Sequence, residues 1–289
     1  MRIVSFEYEG KSHLGIKVGD EVIDMNIVAK DLPTDLLGLL QSGLDIKQDL
    51  SALIENAPQR AKYLSKDLRF TPLIPHPPKI ICIGRNYAAH AVEGGVAPPT
   101  YPEIFLRCST SLIGHEEDII RPRCSDKLDY EGEIVAIIGK KARHVKEQDG
   151  LDYIAGYALF NDATVRDYQR KSSQWTIGKN FDGTGAFGPE FVTADELPLG
   201  MVGVQLQTRL NGELMQDANT SDLIFPMAKL IEILSECMTL LPGDIIITGT
   251  PAGVGYVRKP AVYMKPGDVV EIEVKGLGIL RNTIKEEQI

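Results

Sequence analysis

Short apolar runs, broken by glycine, proline or an Asn-Gly pair, recur from Lys79 onward: IICIG, IFL, EIVAIIG, AGYALF, VQLQTRLNG, DIIITGT and VVEIEVKG. Runs of this length, rich in β-branched residues, predict strands. They come in two patterns. Residues 134–138 are apolar on both faces, as in a strand covered on both sides. Val270, Ile272 and Val274 instead alternate with Glu271 and Glu273, as in a strand with one face in water. Asn211-Gly212, between VQLQTRL and ELMQDA, predicts a tight hairpin. Helical periodicity is scarcer, clearest over 225–238 and again over 86–93. Many strands with few interposed helices predict a mainly β fold with some α, and argue against a doubly wound α/β sheet.

Residues 1 to 70 read as a small unit. Strands are expected at Arg2–Tyr8, 13–18 and Glu21–Asp24, with a turn at Gly19-Asp20. A helical turn follows over 35–40 with Thr34 as N-cap, and helical periodicity returns over 50–63. The proline-rich TPLIPHPP at 71–78 stiffens the chain and interrupts regular structure. The boundary is placed there, giving a small N-terminal α+β domain over 1–72 and a larger domain over 73–289.

With 289 residues, the chain is long enough for one large domain with a small appendage. Its 43% hydrophobic and 25% charged residues are those of a globular protein. A net charge of -9 argues against nucleic acid and anionic membranes, which favour basic patches. No run approaches the length of a membrane span. The N-terminal MRIVSFEYEG lacks the apolar core of a signal peptide, so a cytoplasmic location is expected. Cys82, Cys108, Cys124 and Cys237 have no metal-type spacing and are expected to be buried and reduced.

Within this framework three carboxylates stand out. Glu131 and Glu133 open one apolar run and project to the same side, while Asp162 ends another. Like charges beside buried strands are costly unless a cation offsets them. Oxygen donors without Cys or His suit Mg²⁺ or Mn²⁺ over Zn²⁺, yet the spacing equally allows strand-end acids paired with Arg or Lys. Glu271 and Glu273 show how little Glu-x-Glu means by itself, since their alternation places them on a solvated face.

Three other segments bear chemistry. In NYAAHAVEGG, His90 and Glu93 are three apart, so on a helix they touch and the carboxylate can make the imidazole a general base. Gly94-Gly95 and Pro98-Pro99 behind them suit a hinged lid, although a surface turn that happens to carry both residues fits as well. Arg166 and Gln169 follow Asp162 at helical spacing, so one helical face can hold all three. Lys179 lies in a Gly-flanked segment. Such donors bind a carboxylate or an oxyanion, or else pair with surface acids. TGTPAGVG at 248–255 lacks the GK[ST] ending of a phosphate loop and fits a tight turn presenting Thr250 to a pocket. The acidic Glu116-Glu117-Asp118 is read as solvated.

Taken together, GRNYAAHAVE, DYEGEIVAIIG, GYALFNDATVRDYQ, GKNFDGTGAFGP and PGDIIITGTPAGVG resemble the fumarylacetoacetate hydrolase family, in family order over most of residues 79–282. The resemblance implies a mixed β-sandwich roll or barrel as the catalytic domain, here with a small N-terminal α+β domain, in a homodimer. It implies one Mg²⁺ or Mn²⁺ per site on Glu131, Glu133 and Asp162, a water-activating lid dyad of His90 and Glu93, and Lys179 as a catalytic oxyanion donor. Arg85, Tyr87, Arg166, Gln169 and Thr250 match substrate-binding positions. One departure is Arg107-Cys108 where members often show Lys-Pro, a fork in place of a point charge. The implied substrate is a small 2-keto acid: hydrolysis of a C–C bond in an acylpyruvate or other 2,4-diketo acid gives pyruvate and a carboxylic acid. Decarboxylation of oxaloacetate, or isomerisation or hydration of unsaturated 2-keto acids, uses the same machinery. A catalytically silent metabolite-binding protein is the competing class, and the full ligand set with its dyad argues against it.

Overall fold

The structure, a computed structural model, describes residues 1–288. A large mixed sheet runs in the order Lys62–Leu64, Glu21–Asp24, Lys11–Val18, Arg2–Tyr8, Gly185–Thr193, Ile154–Asp162, Gly132–Ile138, Ile245–Ile247, Ile80–Gly84, Glu103–Leu106. A second sheet orders Glu213–Asn219, Gln205–Leu210, Val269–Val274, Gly278–Glu286 and Ile119–Arg121. This mixed β architecture with few helices is the expected class.

The central strand Gly132–Ile138 shows why its sequence does not alternate. Ile134, Ala136 and Ile138 pack with Leu206, Ile272 and Leu280 of the second sheet and with Leu230 and Leu234 of the helix Met227–Cys237. Val135 and Ile137 face the other way, into a core with Leu36, Leu39 and Leu50 of the helices Leu36–Gln41 and Ile46–Glu55. Both faces are covered, so both are apolar. In Val269–Val274 the alternation is real: Glu273 meets Arg209 at 2.9 Å near the surface while Val270, Ile272 and Val274 are buried. The hairpin is also as expected, with Asn211 and Gly212 at φ 53° and 81°, the left-handed pair that such a turn requires.

The N-terminal strands extend the large sheet. Arg2 and Ile3 register against Val192 and Phe191. The proline-rich connection is packed down, with Leu73 and Ile74 buried and the Leu73 carbonyl accepting from Ser5 Oγ at 2.9 Å.

Several expectations are corrected. The cap of Leu36–Gln41 is Asp35, whose carboxylate accepts from the Gly38 N–H; Thr34 lies one residue too early. The next helix starts at Ile46 on an Asp45 cap and ends at Glu55, earlier at both ends than the expected 50–63. The two helices expected over 225–238 and 86–93 shorten to Met227–Cys237 and Ala88–Glu93. Gly185–Thr193, nine residues at the middle of the large sheet, carries no strand signal because Gly185, Gly188 and Pro189 interrupt its apolar pattern. Of the cysteines only Cys82 is buried; Cys108, Cys124 and Cys237 are exposed.

Candidate active site

Gly132 pairs with Asn161, so the start of one central strand lies against the end of its neighbour. This register brings Glu131, Glu133 and Asp162 together from 31 residues apart in sequence at the widest, with carboxylate oxygens all within 4.8 Å of one another and all three residues buried. The adjacent strand Ile245–Ile247 runs into the turn over 248–255, whose Gly249 N–H donates to Glu133 Oε2 at 2.5 Å.

Of the two sequence alternatives for these acids, pairing with Lys or Arg is realised for Glu131 and Asp162. Lys179 Nζ donates to Glu131 Oε2 at 2.6 Å and Asp162 Oδ2 at 2.5 Å, and lies 3.3 Å from the Asp162 carbonyl. Arg166 bridges Glu131 Oε1 at 2.6 Å and Asp129 Oδ2 at 2.8 Å. The guanidinium of Arg107 grips Asp162 Oδ1 at 2.6 Å and donates to Ser111 Oγ and Thr184 Oγ1. Glu133 alone has no cation against it among the described residues.

The electrostatics follow from this pairing. Burial opposes ionisation of Glu131, but Lys179 and Arg166 outweigh it and hold the carboxyl down at about 2. For Glu133, burial and then the charges of Asp162 and Glu131 push the carboxyl well above the usual range. Burial lowers Lys179, yet Asp162 and Glu131 prevail and raise it. Asp129, Glu131, Glu133 and Asp162 thus face only Lys179, Arg166 and Arg107, one cation short. Hard oxygen donors with uncompensated negative charge fit a divalent Mg²⁺ or Mn²⁺.

Of the dyad, His90 reaches the cavity, a space of about 390 Å³ that the three acids, Arg166, Gln169, Lys179 and Thr250 also line. On the helix Ala88–Glu93, His90 Nδ1 meets Glu93 Oε1 at 2.8 Å, while Glu93 Oε2 accepts the Gly253 N–H at 2.9 Å. One carboxylate therefore orients the imidazole and ties its helix to the turn carrying Thr250.

The description "Fumarylacetoacetate (FAA) hydrolase C-terminal" matches residues 79–285, most of the chain and all of these groups. The chain belongs to the fumarylacetoacetate hydrolase family. Among curated relatives, a mitochondrial oxaloacetate tautomerase of Rattus norvegicus is 36% identical over 98% of this chain and 91% of its own. Among solved structures, a fumarylacetoacetate hydrolase of Exiguobacterium antarcticum superposes with a TM-score of 0.88 at 33% identity, covering 99% of this chain and 100% of that one. Maleylpyruvate hydrolase of Sphingobium sp. SYK-6, in complex with manganese and pyruvate, gives 0.83 at 27% identity, covering 100% of both chains.

Not every expected residue of the family site reaches the cavity. Arg85 lines it, paired with Glu103 at 2.8 Å and stacked 5.2 Å from the Trp175 ring centre. Tyr87 does not; it is buried at the start of the dyad helix and bridges to Leu223. Asp162 ends a strand and only Arg166–Gln169 is helical, so the three do not share a helix face, although Arg166 Nη1 still donates to Gln169 Oε1 at 3.1 Å. The Thr250 hydroxyl is occupied, donating to the Gly132 carbonyl at 3.0 Å and accepting from Gln216 at 2.8 Å.

Two supporting residues escaped the sequence reading. Asp129 anchors Arg166 and accepts the Gly255 and Tyr256 N–H groups. Its signal was present, because Asp129, Glu131 and Glu133 repeat at every second position. The clamp of Arg107 on Asp162 spans 55 residues and left only an unusual Arg as its trace.

Proposed function

We propose that this protein is a metal-dependent hydrolase that cleaves a C–C bond in an acylpyruvate or related 2,4-diketo acid, releasing pyruvate and a carboxylic acid. The observation that carries the reading is His90, hydrogen-bonded to Glu93 at 2.8 Å and lining the same cavity as the three clustered carboxylates. When bound at Glu131, Glu133 and Asp162, a divalent ion supplies Lewis-acid polarisation of the substrate's keto group. Everything else is work for side chains. With Nδ1 held by Glu93, His90 is left with Nε2 to take a proton from water, and Glu93 stabilises the imidazolium that results. The hydroxide adds to the carbonyl at C4, the C3–C4 bond breaks, and its electron pair passes to C3 as pyruvate enolate. His90 then returns the proton to C3.

Arg166 lines the cavity and keeps Nη2 without a partner, so it is suited to the substrate's carboxylate. Lys179 is placed to hold developing negative charge, but its hydrogens are committed to Glu131 and Asp162 and one must be released for that role.

A second reading, tautomerisation of oxaloacetate, is favoured by the rat relative at 36% identity over 98% of the chain. There His90 would move a proton between C3 and the keto oxygen, with no water and no bond cleavage. The test is a panel of acylpyruvates and oxaloacetate with Mg²⁺ or Mn²⁺, scoring pyruvate release separately from the change in enol absorbance. Release of pyruvate and acid in equal amounts supports hydrolysis; enol interconversion without pyruvate release overturns it in favour of the tautomerase.

A further inference from the structure

Four cations line the cavity, and three are committed to protein carboxylates: Arg166 to Asp129 and Glu131, Lys179 to Glu131 and Asp162, and Arg85 to Glu103. The fourth, Arg170, forms no ion pair with any described residue and is exposed. It is nonetheless held in place. It closes the helical turn Arg166–Gln169 by donating its N–H to the Tyr168 carbonyl, and its guanidinium stacks 4.3 Å from the centre of the Tyr256 ring. The guanidinium of Arg166 lies 4.4 Å from the same ring centre. Two cations are thus gathered at one tyrosine, and only the inner one has its charge met by acids of the protein.

We propose that Arg170 reads a second carboxylate at the far end of the substrate, so that the site selects 2-keto diacids over 2-keto monoacids. This rests on the 2-keto acid reading above and adds to it the substrate class. A chelating head held among the buried carboxylates directs the rest of the molecule toward the open side, where Arg170 stands. Stacking on Tyr256 leaves the edge of the guanidinium fork free, and that edge matches a carboxylate bidentately. Holding the plane against the ring also reduces the side-chain freedom lost on binding. A dianionic substrate answers the charge of both Arg166 and Arg170, whereas a monoanion leaves the outer cation unanswered.

The test is calorimetric binding of pyruvate, 2-oxoglutarate and 2-oxoadipate in the presence of Mn²⁺, on the parent, Arg170→Met and Arg170→Lys. These probes need no turnover. The parent should bind the better diacid about tenfold or more tightly than pyruvate, the size of a charge-assisted hydrogen bond. In Arg170→Met that ratio should collapse to within about threefold of unity, and in Arg170→Lys it should be intermediate, because charge survives without the fork. Taking the ratio on each variant removes any general loss of folding or metal. A parent with no preference for either diacid, or a preference that Arg170→Met retains, overturns the assignment. Failure of pyruvate itself to bind with metal is a different result, and it overturns the keto-acid reading on which the assignment stands.

Discussion

Glu133 is the residue on which stability and function oppose each other. Its neighbours Glu131 and Asp162 are neutralised by Lys179, Arg166 and Arg107, while Glu133 has only the Gly249 N–H. Its carboxyl is raised in the folded protein, so as pH climbs above the ordinary 4.5 the unfolded chain ionises first and the metal-free fold loses stability up to the raised value. Glu131 acts in the opposite sense and in a different window: held near 2, it contributes stability above 4.5 that is lost as pH falls toward 2. Two results follow. Stabilisation by Mg²⁺ or Mn²⁺, read as a melting-temperature shift, should grow as pH rises above the ordinary 4.5 of a glutamate, because metal binding needs the Glu133 carboxylate ionised. Glu133→Gln should raise the melting temperature of the metal-free protein, by about 2–4 °C for each kcal/mol relieved, and abolish the metal-induced shift. A variant that melts lower, or still responds to metal, contradicts this. Arg107 gives the complementary case. Arg107→Met leaves Asp162 a buried charge with one partner fewer and should cost about 3–5 kcal/mol in urea denaturation. Arg107→Lys keeps the charge and should cost less than half of that.

At the scale of elements, the site depends on the turn after Ile245–Ile247. Gly249 has φ of 104°, and a Cβ there would lie 2.7 Å from Asn86 Cβ. Gly249→Ala should therefore cost about 1–3 kcal/mol and weaken metal binding as well, since the displaced N–H is the one that holds Glu133. The dyad helix contributes none of the three clustered carboxylates, so His90→Ala should lower hydrolysis by about 10²–10⁴-fold while the metal-induced melting shift persists. Equal hydrolysis rates in variant and parent would remove His90 from the chemistry. What the sequence revealed here follows one rule. Elements with a local signature were legible, such as the Asn211-Gly212 hairpin, the alternating Val269–Val274 and the His90–Glu93 pair. Gly185–Thr193 was not, because its partners, Arg2–Tyr8 and Ile154–Asp162, are distant in sequence and its buried faces need no alternation. Asp35 in place of Thr34 is a smaller error of the same origin, two adjacent capping residues that only the backbone geometry could separate.

Across the whole molecule, a chain of net charge -9 builds a cavity lined by Arg85, Arg166, Arg170 and Lys179 around a cluster of acids. Neither composition nor any single motif reveals this gathering of cations beside buried acids. Glu133 and Asp162 come from two sheet strands and Glu131 from the residue before the first of them, His90 from the helix after Ile80–Gly84, and Arg166 and Lys179 from short turns between Ile154–Asp162 and Gly185–Thr193. Their order along the chain was readable in advance as a family resemblance. The charge balance was not, because Arg107 and Asp129 join the cluster only through folding. Among the described residues no helix is long and apolar enough to cross a membrane. The most direct measurement is a paired assay on protein stripped with EDTA and then supplied with Mg²⁺ or Mn²⁺, following pyruvate and carboxylic acid released from a set of acylpyruvates. The proposed metal-dependent hydrolysis requires stoichiometric release of both, only with metal, and its loss in His90→Ala. Undiminished cleavage in excess EDTA, or no cleavage of any acylpyruvate by protein that rapidly equilibrates oxaloacetate with its enol, would contradict it.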